Sequence, residues 1–364
     1  TLSLAACEAG QETHATGGTG GTAAGGTGGA TGGGGNTGSP DEPTPGADTI
    51  VTPFDKTHIY FTGDDNKRVV DLPGTFPAEG AYSQIILHLS LDCPQGGCDS
   101  WDRFATLGVV VEKGATEGED KVIEVARYIT PYKVKGTWDI DVTHLRPLLS
   151  GDVMMRTFID TWVGPGSVYG AGWLVTASFE MKGGVPDKLP VAVVPVWNRR
   201  YVPYGDPLKP IADNIPDQDI ALPEGSSFAL FTLITGHGQG NKGNCAEFCQ
   251  RDHTLTVGNT PVTQKIWRSD CAETGVPGQQ GTWKYSRAGW CPGADVKPWV
   301  TDVTADAAGA ESVKIAYGVE DYENTCRPDS AVCEGCALGT GCDYDGGAHT
   351  EPNYQVSSVL VAYK

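Results

Sequence analysis

From Val51 to Tyr363 the chain is a succession of short β-prone runs cut by turn residues. Gln84–Ser90, Thr106–Glu112, Lys121–Tyr128, Thr157–Val163 and Trp173–Met181 are rich in valine, isoleucine, threonine and aromatics. Runs of that length and composition read as strands of an antiparallel sandwich. Only Val142–Ser150 hints at a helical turn. A Gly-Gly-Val-Pro-Asp break at 183–187 marks a domain boundary. The pattern then restarts with Val191–Trp197, Ser227–Thr235, Thr254–Val257, Val313–Tyr317 and Tyr354–Tyr363. The predicted fold class is all-β, as two consecutive units at 51–185 and 186–364. No short internal repeat suggests a propeller or solenoid.

Residues 1–50 have a different texture. Gly17–Gly38 holds 13 glycines in 22 residues, with too little apolar surface to offset the entropy of ordering. Ahead of this tether, Leu4-Ala5-Ala6-Cys7 resembles the signal-peptide box of bacterial lipoproteins, which makes Cys7 the expected lipid-attachment site. The bland alternative is a chance LAAC in a disordered tail. No stretch approaches the roughly 20 apolar residues of a membrane-spanning helix, so membrane contact is expected only through that lipid. A formal charge of −19 repels phosphate backbones, so nucleic acid is not an expected partner.

Ten of the eleven cysteines fall in close sets: Cys93 and Cys98, Cys245 and Cys249, Cys271 and Cys291, then Cys326, Cys333, Cys336 and Cys342. An even number at short spacing suits five disulfides in an oxidising compartment, and hence an exported protein at the cell surface, in the periplasm or secreted. The last four fall in a Cys-rich insertion near 320–350. They could also be read as a zinc cluster, but they lack paired CxxC knuckles. Asp343-Tyr344-Asp345 hints at a calcium loop without the remaining ligands. His237 and His253 give no His pair of the kind copper sites use. No metal or cofactor is expected.

Three segments concentrate polar and aromatic residues where a plain sandwich needs none. In Cys93–Arg103 a disulfide over five residues would give a rigid loop directly before a strand, fixing the direction of Asp102 and Arg103. If the strand has begun by Trp101, those two side chains project to opposite faces. The alternative is an Asp–Arg surface ion pair beside a structural tryptophan. In Cys245–Cys249 a second carboxylate, Glu247, sits inside a tight loop. The third segment is Arg287–Gly293, whose Cys291 could close back to Cys271.

The strings CDSWDR at Cys98–Arg103, CAEFC at Cys245–Cys249 and RAGWCPG at Arg287–Gly293 resemble the peptide-N-glycosidase F family. Weaker echoes agree in order, among them RYITPY at Arg127–Tyr132 and VPYG at Val202–Gly205. The resemblance implies two eight-stranded jelly-roll domains side by side, with a cleft between them. It implies an amidohydrolase acting on N-glycoproteins or glycopeptides as a monomer. The enzyme would cut the amide between asparagine and the first N-acetylglucosamine and turn asparagine into aspartate. Asp102 matches the primary catalytic carboxylate and Glu247 a second acid acting through water. Trp101, Arg103, Trp162, Arg287 and Trp290 match residues that build or line the cleft, and Cys93–Cys98, Cys245–Cys249 and Cys271–Cys291 match three disulfides.

The chemistry agrees, because an amide needs both an activated nucleophile and a proton for its departing nitrogen. Two acids with separated pKa values can share that work. The chain departs from the family at Asp160, where the family has glutamate, and at His237 and Phe248, where it has tryptophan. Asp160 and His237 are expected to face substrate in a roomier, more polar cleft, with His237 titrating between about pH 5 and 8. A catalytically weak glycan-binding protein on the same scaffold is the alternative reading.

Overall fold

The computed structural model describes residues 42–240, 245–327 and 350–364. Four sheets form two sandwiches. In the first sandwich one sheet runs β2 (Asn66–Lys67), β1 (Thr49–Phe61), β9 (Trp173–Gly183), β4 (Tyr82–Asp92), β7 (Gly136–Asp141). The facing sheet runs β15 (Ala294–Asp295), β6 (Lys121–Ile129), β5 (Phe104–Glu112), β8 (Gly151–Ile159), β3 (Val69–Phe76). The second sandwich pairs β10 (Pro190–Pro203), β18 (Thr350–Tyr363), β12 (Ser227–Gln239), β16 (Trp299–Asp302) with β11 (Gln218–Ala221), β17 (Ser312–Val319), β13 (Asp252–Val257), β14 (Thr260–Lys265).

Alternation explains these strands. In β9 every second residue from Trp173 to Met181 is buried, and in β4 Ile85, Leu87, Leu89 and Leu91 point the same way. Their side chains meet Leu107, Val109 and Met155 from the facing sheet in one core. The second sandwich closes around Leu230, Ile234, Leu255, Ile315, Val356 and Leu360. Strand β18 is buried on both faces, because it has its own sandwich on one side and the first sandwich on the other.

The two sandwiches are bolted together by Arg127, which is fully buried. From β6 it donates to Thr235 Oγ1 and Leu233 O on β12, and to Gln355 O and Ser357 Oγ on β18, at 2.7–3.4 Å. Its remaining donors pair with Glu124 at 2.9 and 3.0 Å. Beside it, β15 crosses from the second half of the chain and pairs with β6. A small apolar cluster of Ile129, Trp290 and Val296, flanked by Phe104 and Leu233, fills the seam.

One local expectation is corrected. The run at Thr157–Val163 is displaced: β8 starts at Gly151 and ends at Ile159, and residues 160–163 leave the ladder. Asp160 N still bonds Phe104 O, but Thr161 turns inward to Asp99. Strand β1 is not legible in the sequence, because Pro53, Asp55 and Lys56 break its alternation, and its register with β9 shifts at Phe54 and Thr57. The helical turn is a single 3-10 segment at Thr143–Leu148.

Replacing Arg127 by methionine leaves Glu124 buried without its partner, a loss of about 3–5 kcal/mol. The urea-unfolding midpoint should fall accordingly, and the Arg127→Met/Glu124→Leu double variant should recover part of the loss.

Candidate active site

Residues 98–103 are held by a carboxylate, Asp99, that no pattern in the linear sequence singles out. Asp99 is completely buried beneath the Cys93–Cys98 disulfide loop. Its oxygens accept from Trp101 N at 3.0 Å, Arg103 Nε at 2.8 Å and Thr161 Oγ1 at 2.7 Å. Arg103 therefore pairs with Asp99, and the surface pair of Asp102 with Arg103 does not form. Strand β5 begins only at Phe104, so Asp102 and Arg103 precede the ladder and are not sent to opposite faces by its pleat. Thr130 clamps this approach: its N–H donates to Arg103 O and its hydroxyl accepts from Arg103 N, both at 2.9 Å.

Glu247 comes from the other sandwich. The Cys245–Cys249 disulfide closes its loop, and Glu247 N donates to Gly238 O at 3.0 Å just past the bend of β12. Gly238 has φ +74°, and a Cβ there would lie 2.2 Å from Glu351 O, so only glycine fits. Ala288 N donates to Glu247 O, which brings Arg287 alongside.

Arg287 joins the two carboxylates. Its Nε donates to Glu247 Oε1 at 3.1 Å, and its Nη2 lies 3.8 Å from Asp102 Oδ2. Nη1 is committed to the carbonyls of Thr282 and Tyr285. The guanidinium is buried between the rings of Phe248 and Trp290, at 5.0 and 4.8 Å. The Cys271–Cys291 disulfide braces the loop that carries it.

Asp102 opens onto a cleft of about 540 Å³ between the sandwiches, lined also by Arg103, Asp160 and His237. Asp160 meets Arg68 at 3.3 Å. Trp101 and Trp162 stand exposed nearby, at 51% and 54%, with Arg68 stacked on Trp162. Trp290 is only 3% exposed, donates to Gly236 O and stacks on His237. It has no exposed indole face and packs against Arg287 and His237, so its part is in building the site. Cys326 is disulfide-bonded. Cys7, Cys333, Cys336, Cys342 and the acidic turn at 343–347 lie outside the described residues.

Residues 54–171 and 217–336 match the family profiles described as Peptide-N-glycosidase F, N terminal, and Peptide-N-glycosidase F, C terminal. A curated relative is peptide-N(4)-(N-acetyl-beta-D-glucosaminyl)asparagine amidase F from Elizabethkingia miricola. It is 32% identical over 292 residues, covering 74% of this chain and 77% of the relative. The chain belongs to the peptide-N-glycosidase F family. The solved structure of PNGase F, a glycosylasparaginase from Flavobacterium meningosepticum, superposes with a TM-score of 0.70 at 26% identity, over 88% of this chain and 96% of that one. PNGF-II shares the fold, with a TM-score of 0.61 at 16% identity over 86% of this chain and 65% of that one.

In this member of the family, burial raises both acids. Glu247 is pushed up to about 7, chiefly by burial, with Arg287 opposing and the charge of Asp102 adding to the rise. Asp102 is raised by burial too, against the pull of the Tyr132 hydroxyl and Arg287. In the sequence Tyr132 is legible only inside the RYITPY string, which carries no signal that it meets Asp102. His237 does not titrate between pH 5 and 8 as expected. Burial, with Arg127 and Arg287 nearby, holds it down at about 3, and its Nε2 bonds Thr235 Oγ1 at 2.8 Å.

Between the ordinary carboxyl range and about pH 7 the folded protein therefore keeps a proton on Glu247 that the unfolded chain has released. Native protein binds more protons there, so this contribution to stability falls as pH rises through that window. Glu247→Gln has no such proton to lose. Its stability relative to the parent should rise by about 1–3 kcal/mol between pH 5 and 8, read as the difference in urea midpoints.

Proposed function

We propose that the chain is a glycoprotein amidase that hydrolyses the amide between asparagine and the innermost N-acetylglucosamine of N-linked glycans. The observation that carries this reading is the Asp102–Arg287–Glu247 cluster, which sets two acids of raised pKa around one guanidinium beside an open cleft. Its substrates are N-glycoproteins or glycopeptides. Each chain supplies both acids and acts as a monomer.

Asp102 reaches the cleft and is the group that touches the reacting atoms. Its carboxylate takes a proton from water as the water oxygen bonds to the side-chain carbonyl carbon of asparagine. When the C–N bond breaks, that proton passes to the departing nitrogen, which leaves as a glycosylamine while asparagine becomes aspartate. Glu247 stands behind Asp102 and acts through water. Arg287 offsets the repulsion of two adjacent carboxylates, because like charges in one buried site otherwise push one proton back on. Trp101 and Trp162 offer exposed indole faces on which sugar rings can rest, and Arg103 and Asp160 border the cleft beneath them.

The test is incubation with a denatured N-glycoprotein and mass analysis of both products. Aspartate at the former glycosylation site, with the intact glycan released, is expected. A sugar left on asparagine would replace this reading by an endoglycosidase. Asp102→Asn should lower kcat/KM by at least about a hundredfold with unchanged unfolding behaviour.

The disulfides and the family fit an extracellular enzyme. We further propose that a lipid on Cys7 holds it at the membrane through the glycine-rich tether. Cys7→Ser should then move the full-length protein from the membrane to the soluble fraction of cells that express it.

A further inference from the structure

We propose that Arg199 is a specificity-determining residue, which steers the glycan from the Asp102 end of the cleft into a second carbohydrate subsite beside Arg156. This rests on the amidase reading above. Arg199 sits on β10, where its guanidinium lies over the rings of Phe104 and Phe158 at 5.2 and 5.0 Å. On one side is the cleft that holds Asp102 and Asp160. On the other is a basin of about 290 Å³, and both hollows are walled by Phe158 and Arg199. The two adjoin across Arg199, which stands as the ridge between them. A space of about 540 Å³ takes the sugars nearest the amide; a longer glycan must leave it, and the ridge is a direct way out along the seam.

The charges around Arg199 separate it from its neighbours. Arg103 is committed to Asp99, Arg127 to Glu124, and Arg156 to Asp71 and Asp120. Among the described residues Arg199 has neither a hydrogen bond nor an ion pair, and it is exposed. A planar fork of donors held over two aromatic rings is pre-organised to meet paired acceptors. The second basin presents Arg156, Asp120, Glu117, Thr106 and Asn198, a mixture of donors and acceptors in which the charge of Arg156 is already neutralised. That suits the hydroxyls of an uncharged sugar. It lacks the alternate apolar side-chain pockets that hold an extended peptide.

The test compares Arg199→Ala and Arg199→Lys with the parent on two probes, chitobiose and the pentasaccharide in which three mannoses extend it. Binding of the free sugars is measured by calorimetry, and kcat/KM on one peptide carrying either glycan. Loss of a charge-assisted hydrogen bond predicts that Arg199→Ala weakens pentasaccharide binding by about ten- to a hundredfold. The pentasaccharide-to-chitobiose ratio of kcat/KM should fall with it, and Arg199→Lys should recover only part of both. An equal loss on both probes, no loss on either, or a loss that follows peptide length instead of glycan length would overturn the proposal. If no glycopeptide is cleaved but pentasaccharide binding still depends on Arg199, the amidase reading fails and the subsite stands.

Discussion

The site exists only where two sandwiches meet, and the geometry of that meeting is set by the buried guanidinium of Arg127. A charge taken out of water this completely is costly unless every donor is matched. Here Glu124 supplies the opposite charge, and four oxygens on β12 and β18 take up further donors. Those oxygens have fixed positions along two strands, so the sandwiches cannot slide without breaking several bonds together. An apolar seam alone would tolerate such sliding. Asp102 is carried by one sandwich, and Glu247 and Arg287 by the other, so the spacing of the acids inherits its accuracy from this bolt.

Within each half a second layer of constraint aims the side chain. Asp99 ties Trp101, Arg103 and Thr161 to one point, and the Cys93–Cys98 disulfide closes the loop above it. Glu247 is fixed by backbone bonds to the end of β12 and to the Arg287 segment, with its own disulfide behind. Both acids stand on short rigid loops at strand ends, which offer precision without occupying ladder hydrogen bonds.

Arg287 settles a conflict between burial and charge. Two buried carboxylates near each other would not both ionise without a compensating charge. One guanidinium between them, held by backbone carbonyls and sandwiched by Phe248 and Trp290, keeps the pair within reach of neutral pH. His237 follows the opposite course. The same burial, beside two arginines, leaves it neutral and makes it a packing and hydrogen-bonding residue.

The sequence by itself determined the all-β class, the two successive sandwiches, most of the central strands, and the three motif segments that hold Asp102, Glu247 and Arg287. Alternation and cysteine spacing are local properties, so a linear reading can see them. Strand β1 is hidden from a linear reading because a proline and charged residues interrupt its pattern, and β15 because two residues carry no period. The tertiary structure alone decided that Asp99, not Asp102, pairs with Arg103, that Trp290 lies under the site, and that His237 is stripped of its proton. Each depends on which groups lie nearby after folding and how much water they lose. Neither quantity is written in the order of residues, because Thr161 reaches Asp99, Trp290 reaches His237 and Arg127 nears His237 from separate segments of the chain.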